Sequence, residues 1–234
     1  MPLHYHTHLD ATRATLCVWR IEETEDWFSE HIPVRLFPGH AKRRLQHLAG
    51  RYLLTQADPA FPYDHLRVSE HGRPYLEDRS RQFSISHSGN MAAVILSRDH
   101  GVGVDLEFIT PRVLKVATRF LGKAEQSWIV ACGGMTDPFT GKFSGPDAIR
   151  LCTLLWSAKE AAYKWLGVPG IDFAADLEIE PFALEETGQI KARCRKDGDL
   201  SFRIGYRYFD DCWLTWIAEP LTLHEPGQPL SVTR

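Results

Sequence analysis

No two of the five cysteines stand in C-x-x-C spacing. Cys17, Cys132, Cys152, Cys194 and Cys212 are scattered and odd in number, which argues against a disulfide scaffold and a structural zinc site. The expectation is free thiols in a reducing cytoplasm. Long apolar runs are also missing: none approaches the roughly 18–20 residues that cross a bilayer. Met1 to His6 have neither the charged nor the apolar region of a secretory signal, so a cytoplasmic location is expected. Charge of one sign is not in excess either. A formal charge of −3 over 234 residues gives no overall basic field, so an anionic partner must be met by a local basic patch. Interleaved basic and aromatic runs are lacking, which disfavours a nuclease. Gly101-Val102-Gly103 leads directly into no helix and so makes no dinucleotide loop.

What is present reads as an α+β protein, either one large domain or two small lobes. β-branched and aromatic content predicts a strand over Thr15–Ile21, then helices over Glu22–Glu30 and His40–Gln56. Leu66-Arg67-Val68 and Phe83-Ser84-Ile85 read as short strands around the turn His71-Gly72-Arg73-Pro74. Met91–Leu96 and Val102–Leu106 read as a hairpin turned at Asp99-His100-Gly101. Helices are predicted over Val113–Phe120, Ala124–Ala131 and, N-capped by Asp147, up to Leu166. A loop rich in Gly, Pro, Thr and Ser fills 133–145. Strands at Leu177–Ile179, Gln189–Cys194, Leu200–Tyr208 and Cys212–Ala218 follow. A strand–helix–strands order thus occurs twice, which divides the chain into an N-terminal lobe at 1–110, a C-terminal lobe at 111–220 and a loosely held tail at 221–234. His4, His6 and His8 alternate, and a flexible surface terminus is expected there rather than a metal site.

Chemistry concentrates in Gly103-Val104-Asp105-Leu106-Glu107. On a strand, residues i and i+2 share a face, so Asp105 and Glu107 leave the same side of the backbone. Two like charges so close call for something positive between them, and a hard cation such as Mg²⁺, which takes carboxylate oxygens, waters and substrate phosphates, answers that need. On the last long helix, Leu151, Leu154, Leu155, Ala158, Ala162, Trp165 and Leu166 form an apolar stripe. Glu160 falls nearly opposite it, with Trp156 and Lys164 at i−4 and i+4. The pair Glu160–Lys164 reads either as a solvated helix pair worth about 0.2–0.5 kcal/mol or as one wall of a cleft that also covers Trp156.

Gly103-x-Asp105-x-Glu107, followed about fifty residues later by Trp156-Ser157-Ala158-Lys159-Glu160-Ala161-Ala162-Tyr163-Lys164, resembles the 4′-phosphopantetheinyl transferases, and in particular their larger, pseudo-dimeric type. Gly72-Arg73-Pro74 and Ser86-His87-Ser88 precede these motifs in the family's order, and the resemblance spans roughly residues 40 to 170. It implies two similar lobes with coenzyme A, as substrate, in the cleft between them. Asp105, Glu107 and Glu160 would hold Mg²⁺, or Mn²⁺, which also accepts oxygen ligands. Lys159 and Lys164 would neutralise phosphate, and Ser86 and His87 would contact the coenzyme A phosphates. Arg73-Pro74 stands where many relatives have Lys-Pro; the arginine offers a planar fork instead of a point donor. Arg44 and Arg51, seven residues apart on one helix face, resemble the residues that grip the 3′-phosphate, with Arg43 next. The loop from Cys132 to Pro146 is longer than the family leads one to expect.

The implied reaction moves 4′-phosphopantetheine from coenzyme A to a serine of an apo acyl or peptidyl carrier protein and releases adenosine 3′,5′-bisphosphate. Glu160 would be the general base and Lys164 would assist the leaving phosphate. Arg112, Lys115, Arg119 and Lys123 make one basic stripe if their segment is a continuous helix, read equally as a docking face for an acidic carrier helix or as a solvated surface. A monomer is expected, with neither nucleic acid nor membrane as partner. The alternative of a different class is a non-catalytic module that binds coenzyme A or a carrier, which would have no need of Glu160 as a base.

Overall fold

The computed structural model describes residues 3–33, 39–69, 72–136, 143–196 and 198–220. The expected tail at 221–234 lies outside them, as do His71 of the expected turn and 137–142 of the expected loop. Among the described residues the chain is mixed α and β, with two antiparallel sheets laid face to face between helices.

The first sheet contains β1 (Leu3–Leu9), β2 (Ala14–Arg20), β5 (Gln82–Ser88) and β6 (Met91–Ser97), in the order β1-β2-β6-β5. Its outer face carries α1 (Glu25–His31) and α2 (Ala41–Ala57). The second sheet runs β10 (Leu177–Ile179), β11 (Thr187–Cys194), β12 (Leu200–Phe209), β13 (Cys212–Glu219), then β7 (Gly101–Phe108). Its outer face carries α5 (Pro146–Leu166). Strand periodicity sorts the core accordingly. Cys17 and Trp19 of β2, with Val94 of β6, pack with Leu48, Ala49 and Leu53 of α2. Their neighbours Leu16, Val18, Ala93 and Ile95 turn the other way and meet Val104 and Leu106 of β7 and Leu214 of β13. Trp213 and Ile217 then face Leu151, Leu154 and Ala158 of α5. The predicted apolar stripe of α5 is buried along its length.

β7 is the strand on which the site depends, and it departs from the sequence reading. The run from Met91 to Leu106 is not a hairpin: β6 pairs with β2 and β5, whereas β7 leaves for the second sheet and pairs with β13 from Cys212↔Phe108 to Glu219↔Gly101. A division at residue 110 therefore falls after a strand whose ladder lies in the second sheet. The other edge of β7 would leave amides without partners, a cost that buried backbone must meet. Three alternate hydroxyls of β5 meet it: Val104 N–H donates to Ser84 Oγ (3.1 Å), Leu106 N–H to Ser86 Oγ (3.3 Å) and Phe108 N–H to Ser88 Oγ (3.5 Å).

Gly103 has an equally specific cause. A Cβ there would lie 2.1 Å from the Ala161 carbonyl oxygen and 2.8 Å from the Trp165 nitrogen, so only glycine lets the α5 backbone sit directly on β7.

Other sequence expectations are corrected locally. Leu66–Val68 (β3) pairs with Pro74–Leu76 (β4), not with the Phe83 strand. Val113–Phe120 is not one helix: a 3₁₀ turn at Pro111–Lys115 precedes the single turn α3 (Ala117–Phe120), while α4 (Lys123–Ala131) follows as a separate helix, as expected. Gly145, not Asp147, occupies the N-cap of α5. Met135–Thr136 (β8) and Phe143–Ser144 (β9) pair within the expected loop. The histidine-bearing terminus is a strand paired with β2, with a register irregularity between Leu3 and Tyr5.

Candidate active site

β7 presents Gly103, Asp105 and Glu107 toward α5, as the period of two requires. From α5, Lys164 reaches back and donates to Asp105 Oδ1 (2.7 Å), Val104 O (3.0 Å) and Ser86 Oγ (3.1 Å). From β5, Ser86 donates to Asp105 Oδ1 (2.8 Å) and Ser88 to Glu107 Oε2 (3.1 Å). Of the two readings of Glu160–Lys164, the solvated pair gives way: Lys164 bonds to the strand, with Asp105 buried at 4% exposure.

Glu160 belongs to the same electrostatic group. Burial, then the Asp105 charge, pushes its carboxyl up to about 7, with Glu107 adding and Lys164 opposing. Glu107 is likewise pushed to about 7 by burial and then Asp105, against its bonds to Ser88 and Trp156 and the Lys164 charge. Three acids from a strand and a helix therefore feel one another and share one ammonium.

This group is short of positive charge. Asp105 Oδ2 is buried without a hydrogen-bond partner. Among the described residues, no three His, Cys, Asp or Glu side chains are arranged to hold a metal as they stand, and Lys164 engages Asp105. The chemistry still fits a hard cation: the donors are all carboxylate oxygens, one of them orphaned, and two of the acids resist ionising without added positive charge.

Beyond Lys164 opens a cavity of about 650 Å³, lined among others by His47, Arg51, Arg73, His87, Tyr163 and Lys164. Pro74 and Gly167 also stand in its wall. Gly167, the left-handed C-cap of α5 at φ +66, leaves room that the Arg73 guanidinium occupies, since a Cβ would fall 2.3 Å from it. Burial, then the Arg51 charge and those of His87 and Arg43, holds the His47 imidazole down at about 4. Burial is also the chief cause that lowers His87, with Lys164 and Arg43 acting the same way. Both rings are therefore neutral at pH 7, and the positive charge comes from Arg51, Arg73 and Lys164. Burial disfavours the charge on both arginines, a cost that an anion in the cavity offsets.

Several expected residues stand elsewhere. Lys159 does not line the cavity: it is 1% exposed, and its ammonium donates to Glu125 Oε2, Phe173 O and Leu177 O (each 2.7 Å) and Phe120 O (2.8 Å). Arg44 does not line the cavity; it pairs with Glu25 of α1 at 3.0 Å and also donates to Gly39 O. Ser86, expected beside His87 on a phosphate, instead commits its hydroxyl to Asp105 and β7. Arg112, Lys115, Arg119 and Lys123 are exposed, but the break between the 3₁₀ turn, α3 and α4 takes them off a single helix. The sequence reading missed His47, Ser84, Ser88 and Glu125. The alternation Ser84-x-Ser86-x-Ser88 on one strand face was the visible signal for two of them, and His47 lies one helical turn before Arg51.

Residues 101–216, which carry β7, α5 and the second sheet, match the family model of the 4′-phosphopantetheinyl transferase superfamily. The chain thus resembles the 4′-phosphopantetheinyl transferase superfamily over just under half of its length. It is similar, at 32% identity over 126 residues, to a protein of Synechocystis sp. named "Putative 4′-phosphopantetheinyl transferase"; the match covers 51% of this chain and 47% of that one. A protein of the same name from Haemophilus influenzae is 40% identical over 79 residues, covering 32% of this chain and 34% of its own. The 4′-phosphopantetheinyl transferase AcpT of Salmonella typhi is 39% identical over 71 residues, 30% of this chain and 36% of its own. The matched stretches thus span less than half the length of these relatives. Among the described residues no helix is long and apolar enough to cross a membrane.

Proposed function

We propose that the protein transfers the 4′-phosphopantetheine group from coenzyme A to a serine of an apo acyl or peptidyl carrier protein and releases adenosine 3′,5′-bisphosphate, as a holo-carrier-protein synthase of the larger, two-lobed type. The observation that carries this reading is Lys164, which stands between the acids of β7 and α5 on one side and the basic cavity on the other. A phosphoanhydride whose nucleotide lies in the cavity meets the acids at its reacting phosphorus.

Arg51, Arg73 and His87 bind the anionic nucleotide end, and Pro74 shapes the wall beside it. Asp105, Glu107 and Glu160 would hold Mg²⁺ or Mn²⁺, which when bound supplies charge neutralisation on the phosphate oxygens. Ser86 and Ser88 fix the rotamers of Asp105 and Glu107. Glu160, on α5 beside these acids, is the group that takes the proton of the attacking serine. Lys164 gives charge, or a proton, to the departing 5′-phosphate. The carrier approaches over the exposed basic residues Arg112, Lys115, Arg119 and Lys123.

The test is to incubate the protein with coenzyme A, Mg²⁺ and a panel of apo carriers from fatty-acid, polyketide and nonribosomal-peptide systems, and weigh each carrier intact. Gain of one phosphopantetheine on the serine is expected for at least one carrier. Coenzyme A bound with no gain on any carrier would favour the binding-module reading instead.

A further inference from the structure

Lys159 adjoins Glu160 in sequence, yet the two side chains live in different environments. The Lys159 ammonium is enclosed by four oxygens and is 1% exposed. Its carboxylate partner, Glu125, is 2% exposed and fully used: Oε2 also accepts from Gly122 N–H (2.8 Å), and Oε1 from Ile179 N–H (2.9 Å). One ion pair therefore ties together the end of α3, the start of α4, the Phe173 segment, β10 and α5. On another face of α5, Gly103 of β7 touches Ala161 and Trp165. The helix is thus held on two faces, one residue to either side of Glu160, which fixes its rotation about its own axis.

The same pair shapes the wall beside the acids. The Phe173 carbonyl accepts from Lys159, and its ring lies 5.7 Å from Trp156 and 5.8 Å from Tyr163. Trp156 in turn bonds to Glu107. With three N–H donors directed at four protein oxygens, Lys159 has nothing left for a phosphate.

We propose that Lys159 is a positioning residue that never meets coenzyme A, and that its bond to Glu125 sets the rotation of α5 that turns Glu160 toward Asp105. The role rests on the transferase reading above. It predicts a split between turnover and binding. Because Lys159→Met alone strands a buried carboxylate, the working variant is Lys159→Met with Glu125→Gln, which removes both charges and leaves an amide to cap α4. In that variant kcat for carrier modification should fall at least about tenfold while the coenzyme A Kd moves less than about threefold. Amide hydrogen exchange over 156–164 should quicken. In the unmodified protein, amine-directed labelling read by mass spectrometry should miss Lys159 with or without coenzyme A, and should find Lys164 protected by coenzyme A.

A tenfold weaker coenzyme A affinity in the double variant, or coenzyme A-dependent protection of a labelled Lys159, would show that the ammonium meets phosphate. Unchanged kcat or unchanged exchange would show that the pair positions nothing. If the double variant does not fold, labelling decides. If the wild type modifies no carrier, the function proposed above falls, whereas exchange, Kd and labelling still decide the role of Lys159.

Discussion

Two lysines of one helix, five residues apart, show how a single element serves two ends. Lys159 and Lys164 each donate to a carboxylate at 2.7 Å. Lys159–Glu125 is sealed, at 1% and 2% side-chain exposure, and its remaining partners are backbone oxygens. Lys164–Asp105 stands at 27% and 5%, with one end on the cavity. The sealed pair can only hold; the open pair can exchange partners with a ligand. Breaking one side of a sealed pair costs about 3–5 kcal/mol, a large part of a typical stability of about 5–15 kcal/mol. The open pair is free to spend its charge on chemistry.

The contrast sharpens most at Glu160, which sits between the two lysines. Glu160→Gln should cut carrier modification by about 10²–10⁴-fold, the usual worth of a general base, with a coenzyme A Kd close to that of the wild type; an undiminished rate removes Glu160 from the chemistry. Lys164→Met should raise the coenzyme A Kd and lower kcat by about ten- to a hundredfold together, the worth of about 1.5–3 kcal/mol for a charged hydrogen bond. If Lys164→Met leaves binding unchanged, the distinction between the two lysines is lost.

A pH series probes the acids without a ligand. Glu107 and Glu160 have folded values near 7, above the ordinary 4.5. A raised carboxyl stabilises the fold fully below its unfolded value and loses that contribution as pH rises through the folded one. In chelator-treated protein, the unfolding free energy should therefore fall between about pH 4.5 and 7, by on the order of a few kcal/mol for the two acids together, and Tm should fall with it. Asp105→Asn should flatten the slope, since Asp105 is the second cause of both shifts. A slope of the opposite sign would contradict the arrangement of the acids. The smallest effect is expected at the surface: charge reversal at Lys115 and Arg119 should raise the carrier's KM severalfold and leave coenzyme A affinity alone, as exposed charges are worth about 0.2–1 kcal/mol each.

Much of this was readable from residue order. The period of two placed Asp105 and Glu107 on one face, and the 3.6 period placed the apolar stripe of α5 opposite Glu160. The same angular rule puts Lys159 about 100° from Glu160, beside the buried Leu155, so its burial could have been read; the adjacent charges of the motif drew attention away from it. Other features were not legible. A three-residue link between β6 and β7 looks like a hairpin turn, and nothing local says that β7 will choose β13, more than a hundred residues on. Arg44 lies where a phosphate ligand would, but its partner Glu25 comes from a different helix and emerges only when α1 docks on α2. The basic stripe assumed a helix that breaks at Val116 and again at Leu121–Gly122, because periodicity assigns faces only where the helix is continuous.

The three serines of β5 carry a consequence for how the molecule comes apart. They close the open edge of β7 with side chains rather than with a backbone ladder, so each sheet owes the other its last hydrogen bonds. Pulling the sheets apart would strip β7 of donors' partners and leave Asp105 and Glu107 without Ser86 and Ser88. Neither half can melt first and leave the other intact, and the two should vanish in one denaturation step, with the acids scattering at the moment the seam opens.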